Sequence, residues 1–125
     1  MKKALIIGCG GVASVAIHKC CQNSDVFEEI CIASRTKAKC DALKEKLQGT
    51  TKTKITTAQV DANDVDALVA LIREVQPGVV MNLALPYQDL KLMDACLVTQ
   101  TNHMDTANYE PEDTAKFEYS WQWAY

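Results

Sequence analysis

The chain has 125 residues, 48% apolar and 23% charged, with a net charge of −3. That is one domain's length with the composition of an ordinary globular protein. No apolar run approaches the ~20 residues that cross a bilayer, and an acidic chain (pI 5.3) without a basic stripe is a poor partner for nucleic acid.

The first seven residues, Met1 to Ile7, open like a signal peptide, but their apolar part is too short and Gly8 breaks it. They read as a strand, and the chain as cytoplasmic. The six cysteines (Cys9, Cys20, Cys21, Cys31, Cys40 and Cys96) form no C-x-x-C pair. No metal site is expected from them; in a reducing compartment they are free thiols packed as small hydrophobes. Charge is uneven along the chain. Residues 1–54 hold ten Lys/Arg against five Asp/Glu, and residues 55–125 three against eleven. Most of these charges fit solvated helix faces, but the basic half suits a local phosphate site.

Strand and helix alternate from the start. Ala4-Leu5-Ile6-Ile7 is a continuous apolar run, as in a strand buried on both faces. A helix from Val12 to about Cys21 follows, with Val15, Ala16 and Cys20 at helical spacing. Residues Glu29 to Ala33 form a second strand. Thr36 to Gln48 is an amphipathic helix with Ala38, Ala42, Leu43 and Leu47 on one side and Gly49 at its end. Lys54 to Val60 has strand character. Asn63 or Asp64 caps a helix carrying Leu68, Val69, Ile72 and Val75, which Pro77-Gly78 stops. Val79 to Leu85 is a fourth strand, Asp89 to about Gln100 a helix with Leu90, Met93 and Leu97 inward, and His103 to Asp105 a short fifth strand. This order predicts a doubly wound, mostly parallel α/β sheet of Rossmann topology, with helices on both faces. Residues 1–110 form that domain. From Pro111, with Glu112 and Asp113, a connecting helix begins. It carries Phe117, Tyr119, Trp121, Trp123 and Tyr125, most of the chain's aromatic residues, and needs a further domain to pack on.

Five segments carry the chemistry. Gly8-Cys9-Gly10-Gly11-Val12-Ala13 matches G-x-G-x-x-A between a strand and a helix. Gly8 permits a tight turn, Gly10 the approach of a pyrophosphate, and Ala13 close packing of helix on sheet. The helix start at Gly11 and Val12 offers free N–H groups to phosphate. The second segment is Ser34-Arg35-Thr36-Lys37, at the end of the second strand. A carboxylate there binds the ribose 2′-hydroxyl of NAD. Here Ser34 replaces it, Glu28 and Glu29 lie too early to reach, and Arg35 can grip a 2′-phosphate bidentately. The dinucleotide expected is therefore NADP(H), with Lys37 and Lys39 adding positive potential.

Third, Asp61-Ala62 either meets the adenine or only caps the next helix. Fourth, Asn82-Leu83-Ala84-Leu85-Pro86-Tyr87 lies on the rim where open α/β sheets bind ligands, so the backbone of Leu83, Ala84 and Leu85 borders the nicotinamide side. Fifth, Asp105 and Thr106 are expected to face that side too. His103 points the same way as Asp105 if the strand is regular, but no catalytic residue is assigned to it or to His18.

The same segments, with Leu92-Met93-Asp94-Ala95-Cys96 and the tail Met104-Asp105-Thr106-Ala107-Asn108-Tyr109-Glu110-Pro111-Glu112-Asp113, resemble the saccharopine dehydrogenase family. Within it they are most similar to the carboxynorspermidine-forming branch. The resemblance implies an NADP-dependent reductase of polyamine biosynthesis. Aspartate semialdehyde condenses with a diamine, 1,3-diaminopropane or putrescine, and the imine is reduced. It also implies a substrate and dimerisation domain beyond this chain, a homodimer, and cofactor binding without turnover by these residues alone. Two other readings remain open: a saccharopine-type reductase of the same family, and a non-catalytic nucleotide-sensing module.

Overall fold

The computed structural model describes residues 2–106, 109–114 and 116. Five strands, β1 (Lys3–Ile7), β2 (Glu29–Ser34), β3 (Lys54–Gln59), β4 (Val79–Asn82) and β5 (Asn102–Asp105), form one sheet in the order β3-β2-β1-β4-β5. Every pairing is parallel. Four helices connect them: α1 (Gly11–Cys21), α2 (Lys37–Gln48), α3 (Val65–Val75) and α4 (Asp89–Thr99). A 3-10 turn, Pro86–Gln88, precedes α4 and was not foreseen from the sequence.

β1 explains the layering. Its side chains alternate between two cores, with Leu5 and Ile7 in one and Ile6 in the other. The first core joins Leu5 and Ile7 to Leu68 and Ile72 of α3 and Leu92 and Cys96 of α4. The second joins Ile6, Ile30 and Ile32 to Ala13 and Ile17 of α1 and Cys40 and Leu47 of α2. Helices thus cover both faces, as the order of elements predicts. Each buried Leu or Ile contributes roughly 1.5–3 kcal/mol relative to exposure.

In three helices the inward face only partly matches the one their spacing suggested. α1 buries Ala13, Ile17 and Cys20, leaving Val15 61% exposed. α2 buries Cys40 and Leu47 with Leu43 packed beside them, while Ala38 and Ala42 are exposed. α4 buries Leu92, Ala95 and Cys96, and Leu97 is 59% exposed. In each helix two stripes of small or apolar residues satisfy helical periodicity, and the sheet selects one. α3 buries Leu68 and Ile72 and packs Val69 and Val75 beside them as its pattern requires, and it buries Leu71 as well. It is capped by Asp64, whose side chain accepts from the Ala67 N–H at 3.0 Å.

Two ends also differ. Gly49 closes α2 in a right-handed conformation, so its glycine freedom is not used there. β4 stops at Asn82 rather than Leu85, which frees Leu83–Leu85 to leave the sheet. Of the expected helix from Pro111, the described part is a turn over residues 112–114, and the aromatic segment lies outside the described residues. Among the described residues no helix is long and apolar enough to cross a membrane.

Candidate functional site: a cleft at the carboxyl edge of the sheet

Chain order reverses between β1 and β4, the place where open α/β sheets leave a crevice beyond their strand ends. A cleft of about 520 Å³ lies there. Its floor is Gly8 to Val12. Ser34, Arg35, Thr36, Lys39 and Asp61 stand on the β2–β3 side, with Leu83, Ala84, Leu85, Gln88 and Thr106 on the β4–β5 side.

The two motif glycines do different work. Gly8 has φ of +119°, which L side chains rarely adopt, and an added Cβ would lie 2.8 Å from the Leu83 carbonyl carbon and oxygen. Gly8 therefore serves the protein's own close packing of the first loop on the strand exit after β4. Its N–H bonds the Ala33 carbonyl at 2.9 Å, and the Leu83 N–H bonds Ile7 at 2.8 Å, tying three strand ends together. At Gly10 and Gly11 an added Cβ would meet nothing within 4 Å. The protein's own packing does not require a bare backbone there, and both glycines line the cleft.

Helix α1 starts there. Gly10 is its N-cap, without a side-chain cap, and its first turn holds no acidic residue. The first N–H groups of α1 therefore lack intrahelical acceptors and point their partial positive charge at the space over Gly10. That geometry fits a pyrophosphate.

Ser34 Oγ accepts from the Thr36 N–H at 3.2 Å and lies 3.1 Å from the Thr36 carbonyl. Its hydroxyl is spent on the turn, so Ser34 shapes this wall more than it supplies a donor. The Arg35 carbonyl accepts from Gln59 Nε2 at 3.1 Å, fixing the backbone, while the side chain is exposed at the cleft without an ion pair among the described residues. The two lysines part ways. Lys39 lines the cleft, whereas Lys37 turns to Asp41 at 2.9 Å. Glu28 and Glu29 pair with Lys2, Lys3 and Lys54 at the opposite end of the sheet, out of reach. Asp61 accepts from the Asn63 N–H at 2.9 Å and lines the cleft, but Asp64, not Asp61, caps α3. Ala62 is buried beside it and lines the same wall.

On the β4–β5 side Thr106 reaches the cleft and Asp105 does not. Asp105 stands opposite Asn82 in the β4–β5 register and lies with Asp89 and His103 in a cluster behind the wall. Asn82 joins the two layers. Its amide donates to Asp89 Oδ1, and its Oδ1 accepts from the Ala84 N–H at 3.1 Å. Burial, then the neighbouring Asp105 charge, pushes the Asp89 carboxyl up to about 7. Burial holds the His103 imidazole below its ordinary value.

Sequence reasoning gave Lys39 its positive potential at this site, and the structure places it on the cleft wall, but that reasoning missed Gln88 and the Asn82–Asp89 link. The apolar lead-in to Asp89 and its place at a helix start were signals only for a surface cap. All six cysteines are free thiols, as expected, with Cys9 at the cleft and the others buried.

This is a dinucleotide-binding α/β domain of the doubly wound class. The chain belongs to the saccharopine dehydrogenase family, whose NADP-binding domain model matches residues 4–125. It is 53% identical over its whole length to the carboxyaminopropylagmatine dehydrogenase of Synechocystis sp., covering 30% of that protein. It is 40% identical, over 97% of its length, to the carboxynorspermidine synthase of Vibrio alginolyticus, covering 31% of that one. Among solved structures, saccharopine dehydrogenase (L-Glu forming) of Saccharomyces cerevisiae superposes with a TM-score of 0.73 at 22% identity, covering 89% of this chain and 23% of that protein; this shows the fold. The chain spans under a third of the curated relatives it matches. The cofactor of the domain is NADP(H).

Proposed function

We propose that this domain is the cofactor half of an NADP-dependent reductase that joins a primary amine to aspartate semialdehyde by reducing their imine. In this reading the aldehyde and amine lose water to form C=N, and hydride and proton addition leaves a secondary amine and NADP⁺. The nicotinamide supplies the hydride when bound. The residues of this chain bind and orient. The α1 start and the Gly10 cradle would take the pyrophosphate. Arg35, Thr36 and Lys39 would take the 2′-phosphate, Asp61 and Ala62 the adenine side, and Leu83 to Leu85 with Thr106 would bound the nicotinamide side. A protonated imine is already electrophilic, so no strong acid is needed on this wall.

The remaining length of the relatives would carry the substrate and dimerisation domain of a cytoplasmic homodimer. The observation that carries the reading is the 53% identity to a protein named for a carboxyaminopropyl group on agmatine. It ranks agmatine first among amines, ahead of putrescine and 1,3-diaminopropane. The full-length protein, given NADPH, aspartate semialdehyde and each amine, is expected to oxidise NADPH fastest with agmatine. Equal or greater kcat/KM with an amino acid as the amine and a different carbonyl partner, an oxo acid or a longer amino-acid semialdehyde, would instead support a saccharopine-type reaction.

A further inference from the structure

Behind the β4–β5 wall, one donor atom each from Asp89, His103 and Asp105 lies within 4.8 Å of the others. Asp89 is fully buried although it opens α4, and it does not cap that helix. One oxygen takes the Asn82 amide, while Oδ2 is buried without a hydrogen-bond partner, as is His103 Nε2. An ionised carboxylate left this way would carry a large desolvation cost, more so beside a second carboxylate. A neutral acid would not, because its hydroxyl gains a donor for the acceptors around it. The raised proton affinity that burial gives Asp89 agrees with that form.

The arrangement is a strut. Asp89 fixes the Asn82 amide plane, Asn82 Oδ1 fixes the Ala84 N–H, and Leu83 and Ala84 form both the cleft wall and the surface against which Gly8 packs. We propose that Asp89, as a buried neutral acid, is a positioning residue that sets the Leu83–Leu85 wall through Asn82 and so shapes the nicotinamide end of the cleft. This rests on the orientation given above, with the adenosine half on the β2–β3 side and the nicotinamide half on the β4–β5 side.

The two ends of the cofactor can be read separately. NADPH spans the cleft, whereas 2′,5′-ADP contains only the adenosine half. In the full-length protein, followed by NADPH fluorescence and by calorimetry for 2′,5′-ADP, Asp89→Leu is expected to weaken NADPH about tenfold and leave 2′,5′-ADP unchanged. Asp89→Asn, which keeps an acceptor for Asn82 without charge, is expected to bind NADPH like the wild type. Asn82→Ala, which removes the strut and keeps the acid, should show the same split as Asp89→Leu and serves if that variant does not fold. Unchanged NADPH affinity in Asp89→Leu or Asn82→Ala overturns the proposal, and so does equal weakening of both ligands. Weak NADPH binding by Asp89→Asn, or loss of wild-type affinity after EDTA treatment, overturns the neutral-acid role in favour of a charged or metal-holding one. Failure of the wild type to bind 2′,5′-ADP would instead defeat the cofactor assignment on which the proposal stands.

Discussion

On the β2–β3 side of the cleft, Ser34 and Asp61 sit on short turns, each fixed by a backbone N–H two positions on, while Gln59 of β3 holds the Arg35 carbonyl. On the β4–β5 side, the wall Leu83–Leu85 is held from behind by Asn82, which in turn bonds Asp89 at the start of α4, and Asp105 stands opposite Asn82 in the β4–β5 register. The first wall presents exposed polar groups that can meet a phosphate. The second presents the Leu83–Leu85 segment with Gln88 and Thr106 beside it, and the polar side chains Asn82 and Asp89 are buried behind it and serve geometry. A local wall tolerates loss of one side chain with a local cost in binding. A wall built on a buried polar network ties binding to the stability of the domain.

The largest effect should come where the two walls meet the floor. Gly8→Ala places a Cβ 2.8 Å from the Leu83 carbonyl at a φ of +119°. Backbone has to move, at a cost of about 3 kcal/mol or more from strain and overpacking together. Gly10→Ala meets no protein atom within 4 Å. Its unfolding free energy from urea titration should stay within about 0.5 kcal/mol of wild type, as for benign surface changes, while NADPH binding falls. Equal destabilisation by both substitutions would erase the distinction between a packing glycine and a cradle glycine.

Both glycines are visible in the sequence, but their division of labour is not. The motif reports a strand, a tight turn and a helix, and all three are present. Which glycine touches protein and which touches ligand depends on where Leu83 lies, and that follows from the crossover that puts β4 beside β1. The same limit explains the helix faces. The single apolar stripe of α3 could be read directly. α4 offers Leu90, Met93 and Leu97 on one stripe and Leu92, Ala95 and Cys96 on another, and only the sheet decides between them. Asp105 was read as a cleft residue from its place at a strand end. Its distance from the cleft follows from the β5 register, which turns it toward Asp89.

A second effect tests the buried wall through pH. An unfolded Asp89 releases its proton near 3.8, and the folded one near 7. Between these values the folded state holds a proton that the unfolded state has lost, so stability falls as pH rises through this window and levels off above it. At about 1.4 kcal/mol per pH unit the ceiling is a few kcal/mol. Of the elements packed on α4, β5 brings Asp105 and His103 to Asp89, and β4 brings Asn82. His103, whose proton affinity burial lowers, works in the opposite sense below about pH 6.5 and trims the slope there. Urea midpoints in the wild type should therefore drop as pH rises toward 7, most cleanly above about 6.5 where His103 no longer opposes, level off above 7, and stay flat across this window in Asp89→Asn. A parallel drop in both would remove Asp89 from the cause.

The smallest effects belong to the exposed wall. The Arg35 guanidinium stands at the cleft with its backbone already fixed by Gln59, so Arg35→Ala removes a charged contact without disturbing the turn. NADPH affinity should fall by roughly 1.5–3 kcal/mol, the range for hydrogen bonds to charged groups. NADH affinity, with no 2′-phosphate to lose, should not change. Lys39→Ala should cost about 0.5–1 kcal/mol in NADPH binding, as for a single exposed charge pair, and the loss should shrink with added salt. Lys37→Ala is the matched control, since its ammonium faces Asp41 rather than the cleft. Isothermal titration of NADPH and NADH at two salt concentrations reads all three variants. If Lys37→Ala matched Lys39→Ala, the wall would act only as a diffuse positive field. A Lys39-specific loss places the 2′-phosphate within contact distance of α2.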